Sequence, residues 1–152
     1  MLQEFENFVT GITVCYKFIQ RIKTLEMTEF DLRGTHAMCM YFLQRHPEGL
    51  TASQLAQMCA EDKGAISRTL AVLQEKGLIS SGEKKYRTPL YLTEEGKRIA
   101  DILDDLVVRW VIFGGANVTD EERAVFYKTL GQISHNLGAK LESCEALKEK
   151  EN

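Results

Sequence analysis

The sequence predicts a mainly α-helical fold with one small β-hairpin. Three observations predict it: long segments whose apolar residues recur every three or four positions, helix-capping residues at the segment ends, and one polar, basic stretch between two short strand-like runs. The order is helix-helix-helix-helix-hairpin-helix-helix.

Phe5, Phe8, Val9, Ile12, Tyr16 and Ile19 share a helical stripe, so residues 3–24 read as one amphipathic helix. A second helix, Leu32 to Arg45, contains the apolar run Ala37 to Leu43 and stops at His46-Pro47-Glu48-Gly49, where Pro and Gly cannot continue it. Thr51 caps a short third helix, with Gln54 completing a capping box and Leu55, Met58 and Cys59 on one face. Asp62 caps a fourth helix over 62–76, with Ile66, Leu70 and Leu73 inward and Gly77 as its left-handed stop. Residues 78–81 and 90–93 are strand-like around the stretch Gly82 to Pro89, which makes 78–93 a hairpin. A fifth helix from Thr93 or Glu94 carries Ile99, Leu103, Leu106, Trp110 and Phe113 until Gly114-Gly115 breaks it. The capping box at Thr119 to Glu122 opens the last helix, with Tyr127, Leu130, Ile133, Leu137 and Leu141 on one stripe.

A chain of 152 residues holds one domain with a sizeable core, or a small domain plus a dimerisation extension. The apolar share of 44% and charged share of 27% are those of a globular chain, and no apolar run of membrane length occurs. With no leader-like segment at the amino terminus, the expected location is cytoplasmic, with no membrane partner. The four cysteines show no CxxC spacing and are expected to be reduced thiols. The net charge of -3 conceals an uneven distribution: residues 62–98 hold 8 basic and 5 acidic side chains, whereas the segments on either side are acidic. A basic middle third suits a face that meets phosphate.

Residues 51–76 have the form of a helix-turn-helix, in which a short helix positions a second one whose first turns enter the major groove of DNA. Small Ala56 and Ala60 allow the helices and turn to close, and Ile66 supplies the inward contact. Lys63, Gly64, Ala65, Ser67, Arg68 and Thr69 form the expected leading surface. Arg68 is the candidate for base readout, since its guanidinium can donate to guanine O6 and N7 together, and Lys63 is a phosphate contact. Thr51, Ser53 and Gln54 stand at a helix start where a phosphate can sit. Lys84, Lys85 and Arg87 at the hairpin tip suit the minor groove or its flanking phosphates.

Leu55-Ala56, the run Asp62 to Leu70 with Leu73, Lys76-Gly77-Leu78-Ile79, and Leu92-Thr93-Glu94-Glu95-Gly96-Lys97 resemble the MarR family of bacterial winged-helix transcriptional regulators over nearly the whole chain. The resemblance implies a winged helix-turn-helix at 31–93 and a helical dimerisation region formed by the N- and C-terminal helices, 1–30 and 94–147. It also implies a homodimer on a pseudo-palindromic operator in double-stranded DNA, acting as a repressor released by a small molecule or oxidant. Many members carry an Asp in the wing that holds an Arg in the minor groove; here that acid is missing from Lys84 to Pro89, and Arg87 is the expected replacement.

Other chemistries find less support. Cys15 lies where some members of the resembled family sense oxidants, but the sequence supplies no tyrosine in 31–40 to support a reactive thiolate, so an ordinary buried side chain is the expectation. His36 and Cys39 stand one turn apart, yet two ligands do not make a metal site, and neither metal nor cofactor is expected. Phe8, Ile12, Tyr16, His36, Met38 and Trp110 are candidates to line a pocket for a small aromatic effector, against the stronger reading of a plain dimer core. No nucleophile-base pattern, P-loop or dinucleotide turn occurs, so the chain is not expected to be an enzyme. The rival class is a winged-helix module that binds protein without sequence-specific DNA binding. Against it, residues 63–87 hold six basic and two acidic side chains.

Overall fold

The computed structural model describes residues 1–82 and 88–151, with the backbone alone at 149–151. It comprises two compact units, Met1–Val108 and Arg109–Asn152. The first holds α1 (Leu2–Met27), a 3-10 turn (Thr28–Phe30), α2 (Gly34–Arg45), α3 (Ala52–Cys59), α4 (Lys63–Glu75), β1 (Ile79–Ser81), β2 (Leu90–Leu92) and the start of α5 (Glu94–Gly114). The second holds the end of α5 and the long α6 (Asp120–Glu151).

The expected order of elements is the observed one, with differences at the ends. α1 continues past residue 24 to Met27, whose side chain is buried. α2 begins at Gly34 rather than Leu32, because Asp31 turns left-handed at φ 50° and Arg33 is extended. Leu32 is left as a buried core residue between two helices. The caps follow from local chemistry. The Gln54 N–H donates to Thr51 Oγ1 at 3.3 Å while the Thr51 N–H donates to Gln54 Oε1 at 2.8 Å, and the Ala65 N–H donates to Asp62 Oδ1 at 2.8 Å. In the second unit the Glu122 N–H donates to Thr119 Oγ1 at 3.2 Å and the Thr119 N–H to Glu122 Oε2 at 2.8 Å, opening α6 in the same way.

The core of the first unit gathers one face from every element. Leu43 of α2, Leu55 of α3, Ile66, Leu70 and Leu73 of α4, Ile79 of β1, Leu90 of β2, and Ile99 and Leu103 of α5 are all buried together. Full burial of side chains such as Leu55 and Leu73 contributes about 1.5–3 kcal/mol each. β1 and β2 pair antiparallel with Ile79 opposite Leu92 and Ser81 opposite Leu90. Leu50, just before α3, bridges the other edge of β2: its N–H donates to the Leu90 carbonyl at 3.2 Å and its carbonyl accepts from Leu90 at 2.9 Å. The hairpin is thereby tied to the entry of α3 as well as to the exit of α4.

Two glycines fix the path from α4 into the hairpin and out again. Gly77 adopts φ 68° at the end of α4, the left-handed conformation that glycine enters without steric cost. Gly96, in the first turn of α5, packs so closely on the strand that a Cβ there would lie 2.0 Å from the Leu78 carbonyl oxygen and 3.0 Å from its carbon. No side-chain rotation relieves a clash with backbone. Gly96→Ala is therefore expected to lower stability by about 3 kcal/mol, the upper part of the overpacking range, read as a fall in the urea midpoint. A midpoint within experimental error of the parent would show that α5 can move off β1 freely.

Candidate nucleic-acid interface

The surface that the helix-turn-helix offers to solvent is built by α3, the turn after it and the first half of α4. Cys59 ends α3, and Ala60 follows in the left-handed region at φ 53°, with its N–H donating back to α3 and the Glu61 N–H donating to the Ala56 carbonyl at 3.0 Å. Asp62 then starts α4 at once, so the two helices are joined by three residues. Leu55 and Ala56 of α3 and Ile66 of α4 are buried at this junction, in line with the small-residue reading of Ala56.

On the outer side, Lys63, Gly64, Ser67 and Arg68 are exposed and Ala65 is half-buried. A Cβ on Gly64 would come within 3.5 Å of Arg68 Nη1, so the Arg68 guanidinium lies alongside the first turn of its own helix. Thr69 was expected on this surface and is not there: it is buried at 7% exposure. It lies one turn after Ile66 and shares its inward direction. In α3, Met58 was expected to face inward with Leu55 and Cys59 but is exposed, while Ala56 takes the buried place. Thr51 and Gln54 are engaged with each other in the cap, the Thr51 hydroxyl also donating to Gln54 Oε1 at 2.8 Å, and Ser53 is exposed beside them. Lys84, Lys85 and Arg87, the expected tip of the wing, lie outside the described residues.

The other candidates are placed separately. Phe8 and Met38 are half-buried, and Ile12 and Tyr16 are exposed on α1. A shallow depression containing Tyr16 runs along α1 itself, with Val14, Lys17, Phe18, Gln20 and Arg21. Trp110, in the second unit, meets Phe113 edge-on at 6.3 Å between ring centres. Cys15, expected to be buried, is exposed in the single chain, as are its neighbours over residues 9–19 of α1. Among the described residues no group of three or more His, Cys, Asp or Glu is placed to hold a metal ion. None of their helices is long and apolar enough to cross a membrane.

His36 is part of the scaffold. Its Nδ1 accepts the Arg33 N–H at 2.9 Å at the start of α2, and the side chain is buried. Burial holds its pKa below the ordinary value of 6.5, with the Arg33 and Lys76 cations adding to the effect and Asp31 opposing it. Cys39, one turn from His36 on α2, has its sulfur 3.9 Å from the sulfur of Cys59 on α3. Sequence spacing gave no sign of that pair.

A short helix, a tight turn, an exposed second helix and a hairpin tied to both define a winged helix-turn-helix. The model of the MarR family matches residues 30–85, which span α2, α3, α4 and β1. Over those residues the chain is similar to the MarR family, and its fold is a winged helix-turn-helix. Members of that family are transcriptional regulators, not enzymes. The same fold occurs in solved structures of low sequence identity. A MarR protein from Peptoclostridium difficile is 19% identical, with 88% of this chain and 89% of that one covered and a TM-score of 0.79. The transcriptional regulator SlyA is 18% identical over 90% and 97%, with a TM-score of 0.80. MepR from S. aureus, solved as a DNA complex, is 18% identical over 88% and 98%, with a TM-score of 0.76.

The depressed pKa of His36 has a consequence for stability. A histidine held neutral in the fold contributes stability above its unfolded pKa, and that contribution is lost as pH falls below it toward the folded value. Between about pH 7.5 and about pH 5.5 the melting temperature of the parent is expected to fall more steeply than that of His36→Gln. Parallel curves would remove His36 from the account of acid sensitivity.

Proposed function

We propose that the chain is a sequence-specific DNA-binding transcriptional regulator, a repressor that binds a pseudo-palindromic operator as a homodimer. The single observation that carries the reading is the uncluttered outer face of α4, where Lys63, Gly64, Ser67 and Arg68 stand exposed on a helix whose opposite face is locked in the core. In this reading residues 62–76 enter the major groove, and the wing at 78–93 reaches the minor groove with Lys84, Lys85 or Arg87. Arg68 reads a guanine, and Lys63 with Ser53 and the α3 start meets phosphate. That MepR, of the same fold, was solved bound to DNA supports the assignment.

The homodimer is supported by large apolar side chains that one chain leaves in water. Phe5, Val9, Tyr16 and Ile19 are exposed on α1, and Phe126, Tyr127, Leu137 and Leu141 on α6. Apolar surface of that extent is covered in a stable protein, and residues 1–30 and 94–147 are the proposed dimerisation region. A two-fold dimer places its two α4 helices in successive major grooves about 34 Å apart. A small aromatic effector that favours a dimer of different spacing would leave one half-site unengaged and release the operator.

Selection of binding sites from random duplex DNA, with the purified chain, is expected to return a motif of two-fold symmetry. Arg68→Ala is expected to weaken binding to that motif by about 1–3 kcal/mol and to relax preference at one base pair in each half-site. If no motif emerges at low salt, the protein-binding winged helix becomes the reading to hold. If a motif emerges and Arg68→Ala leaves it and the affinity unchanged, base readout belongs to another residue.

A further inference from the structure

Cys39 and Cys59 belong to different helices and are separated by twenty positions, yet their sulfurs lie 3.9 Å apart. Cys39 sits on the inner face of α2 with no exposure, inside the same core as Met40, Leu43 and Leu55. Cys59 is the last residue of α3 and is half-buried, so one member of the pair is within reach of a small solute and the other is not. The seam they bridge ends at Ala60, the left-handed residue from which α4 departs. We propose that Cys39 and Cys59 are a redox-modifiable dithiol, which a peroxide converts into an intrachain disulfide between α2 and α3.

The chemistry assigns different parts to the two sulfurs. Cys59 is the one that a peroxide reaches, being half-buried where Cys39 has no exposure, and the hydrogen bond between the two sulfurs and the Lys23 cation favour its thiolate, against the opposing effects of burial and Glu61. Cys39 is held as the thiol by that same hydrogen bond, by burial and by the thiolate it faces. The Cys59 thiolate attacks one oxygen of hydrogen peroxide, the O–O bond breaks, and the other oxygen leaves as hydroxide and takes a proton to become water. Cys59 is then a sulfenic acid. The Cys39 sulfur attacks the Cys59 sulfur, the S–S bond forms, and the hydroxyl group leaves with the Cys39 proton as a second water. Two thiols have lost two electrons and one peroxide has become two waters.

Burial of Cys39 serves this order of events. A thiol with no access to solvent is not itself oxidised beyond the disulfide, and it stands beside the sulfenic acid before a second peroxide can arrive. The bond also has a mechanical effect, since a disulfide holds its sulfurs about 2 Å apart. Closing the pair draws the sulfurs together by nearly half their separation of 3.9 Å, at the end of the helix that leads into α4.

The test uses the full chain with Cys15→Ser and Cys144→Ser, which leaves only this pair and does not depend on DNA binding. After a small molar excess of hydrogen peroxide, the chain is denatured, alkylated, digested without reductant and examined by mass spectrometry. The expected result is a chain lighter by two hydrogens, loss of both alkylatable thiols, a linked peptide containing Cys39 and Cys59, and full recovery of both thiols with dithiothreitol. Added Cys59→Ser is expected to leave Cys39 reduced under the same treatment. The proposal is overturned if both thiols remain alkylatable, if Cys59 goes to the sulfinic acid with Cys39 untouched, if the link forms between two chains, or if Cys39 is oxidised equally well without Cys59.

Discussion

The carbonyl of Leu78 is the point on which the α4 helix, the hairpin and α5 are fastened together. It accepts the Thr93 N–H at 3.1 Å, and the backbone of Gly96 rests directly against it, with no room for a Cβ. Thr93 completes the knot from the other side: its hydroxyl donates to the Gly77 carbonyl at 2.7 Å and accepts the Gly96 N–H at 3.1 Å. The last carbonyl of the α4 exit, the first residue of the hairpin, its last residue and the first turn of α5 are thus held within one cluster of hydrogen bonds. Bonds of this kind each contribute about 1 kcal/mol net, but their geometric effect is larger than their energy. They set the angle at which the hairpin leaves α4, and so where the wing stands relative to the exposed face carrying Arg68.

The charged contacts of the first unit orient this assembly without holding it. Lys76 Nζ meets Asp31 Oδ2 at 2.7 Å, and Arg45 Nη1 meets Asp104 Oδ1 at 2.8 Å while its guanidinium carbon lies 3.7 Å from the centre of the Tyr41 ring. Gln44 donates to Asp101 Oδ1 at 2.7 Å. These side chains are partly or wholly exposed, so each pair contributes a fraction of a kcal/mol. The enclosed apolar side chains of α2, α4 and α5 supply several times more. What the polar contacts do settle is register: Gln44 and Arg45 meet Asp101 and Asp104, one turn apart on α5, which fixes how α2 slides along it.

Local chemistry was legible in the sequence, and relations across the fold were not. The caps at Thr51, Asp62 and Thr119 and the left-handed Gly77 are set by three or four neighbouring residues, and each was read at its observed position. The inward stripe Ile66, Leu70, Leu73 was read as well, but Thr69 was misplaced because a polar side chain was assigned outward on its chemistry alone. α3 has 8 residues, too few for the apolar period to decide between Met58 and Ala56 as the buried neighbour of Leu55. The bridge from Leu50 to Leu90 is a single residue wide and leaves no alternation to detect. The Cys39 and Cys59 contact depends on how α2 crosses α3, which no spacing within either helix encodes. Of the candidate interface, the α4 face was legible apart from Thr69, and the wing tip at 84–87 lies outside the described residues.

The long helices raise a question of a different kind. α6 runs for 32 residues with Phe126, Tyr127, Leu137 and Leu141 more than half exposed, and α1 leaves Phe5, Tyr16 and Phe18 more than half exposed as well. Helical propensity alone does not make so much apolar surface tolerable in water, since most helical stability in proteins comes from packing of one face. In the proposed homodimer that packing comes from the second chain, and the surface that joins the subunits is carried by residues distinct from those that face DNA. In that proposed dimer, exchange of one apolar residue for another on α1 or α6 would act on subunit spacing while every side chain on α4 stays as it is. If two α4 helices match two grooves at once, as in the proposed dimer, a small change in spacing would remove one half-site's contacts whole, and control of DNA binding would need no change in the residues that read it.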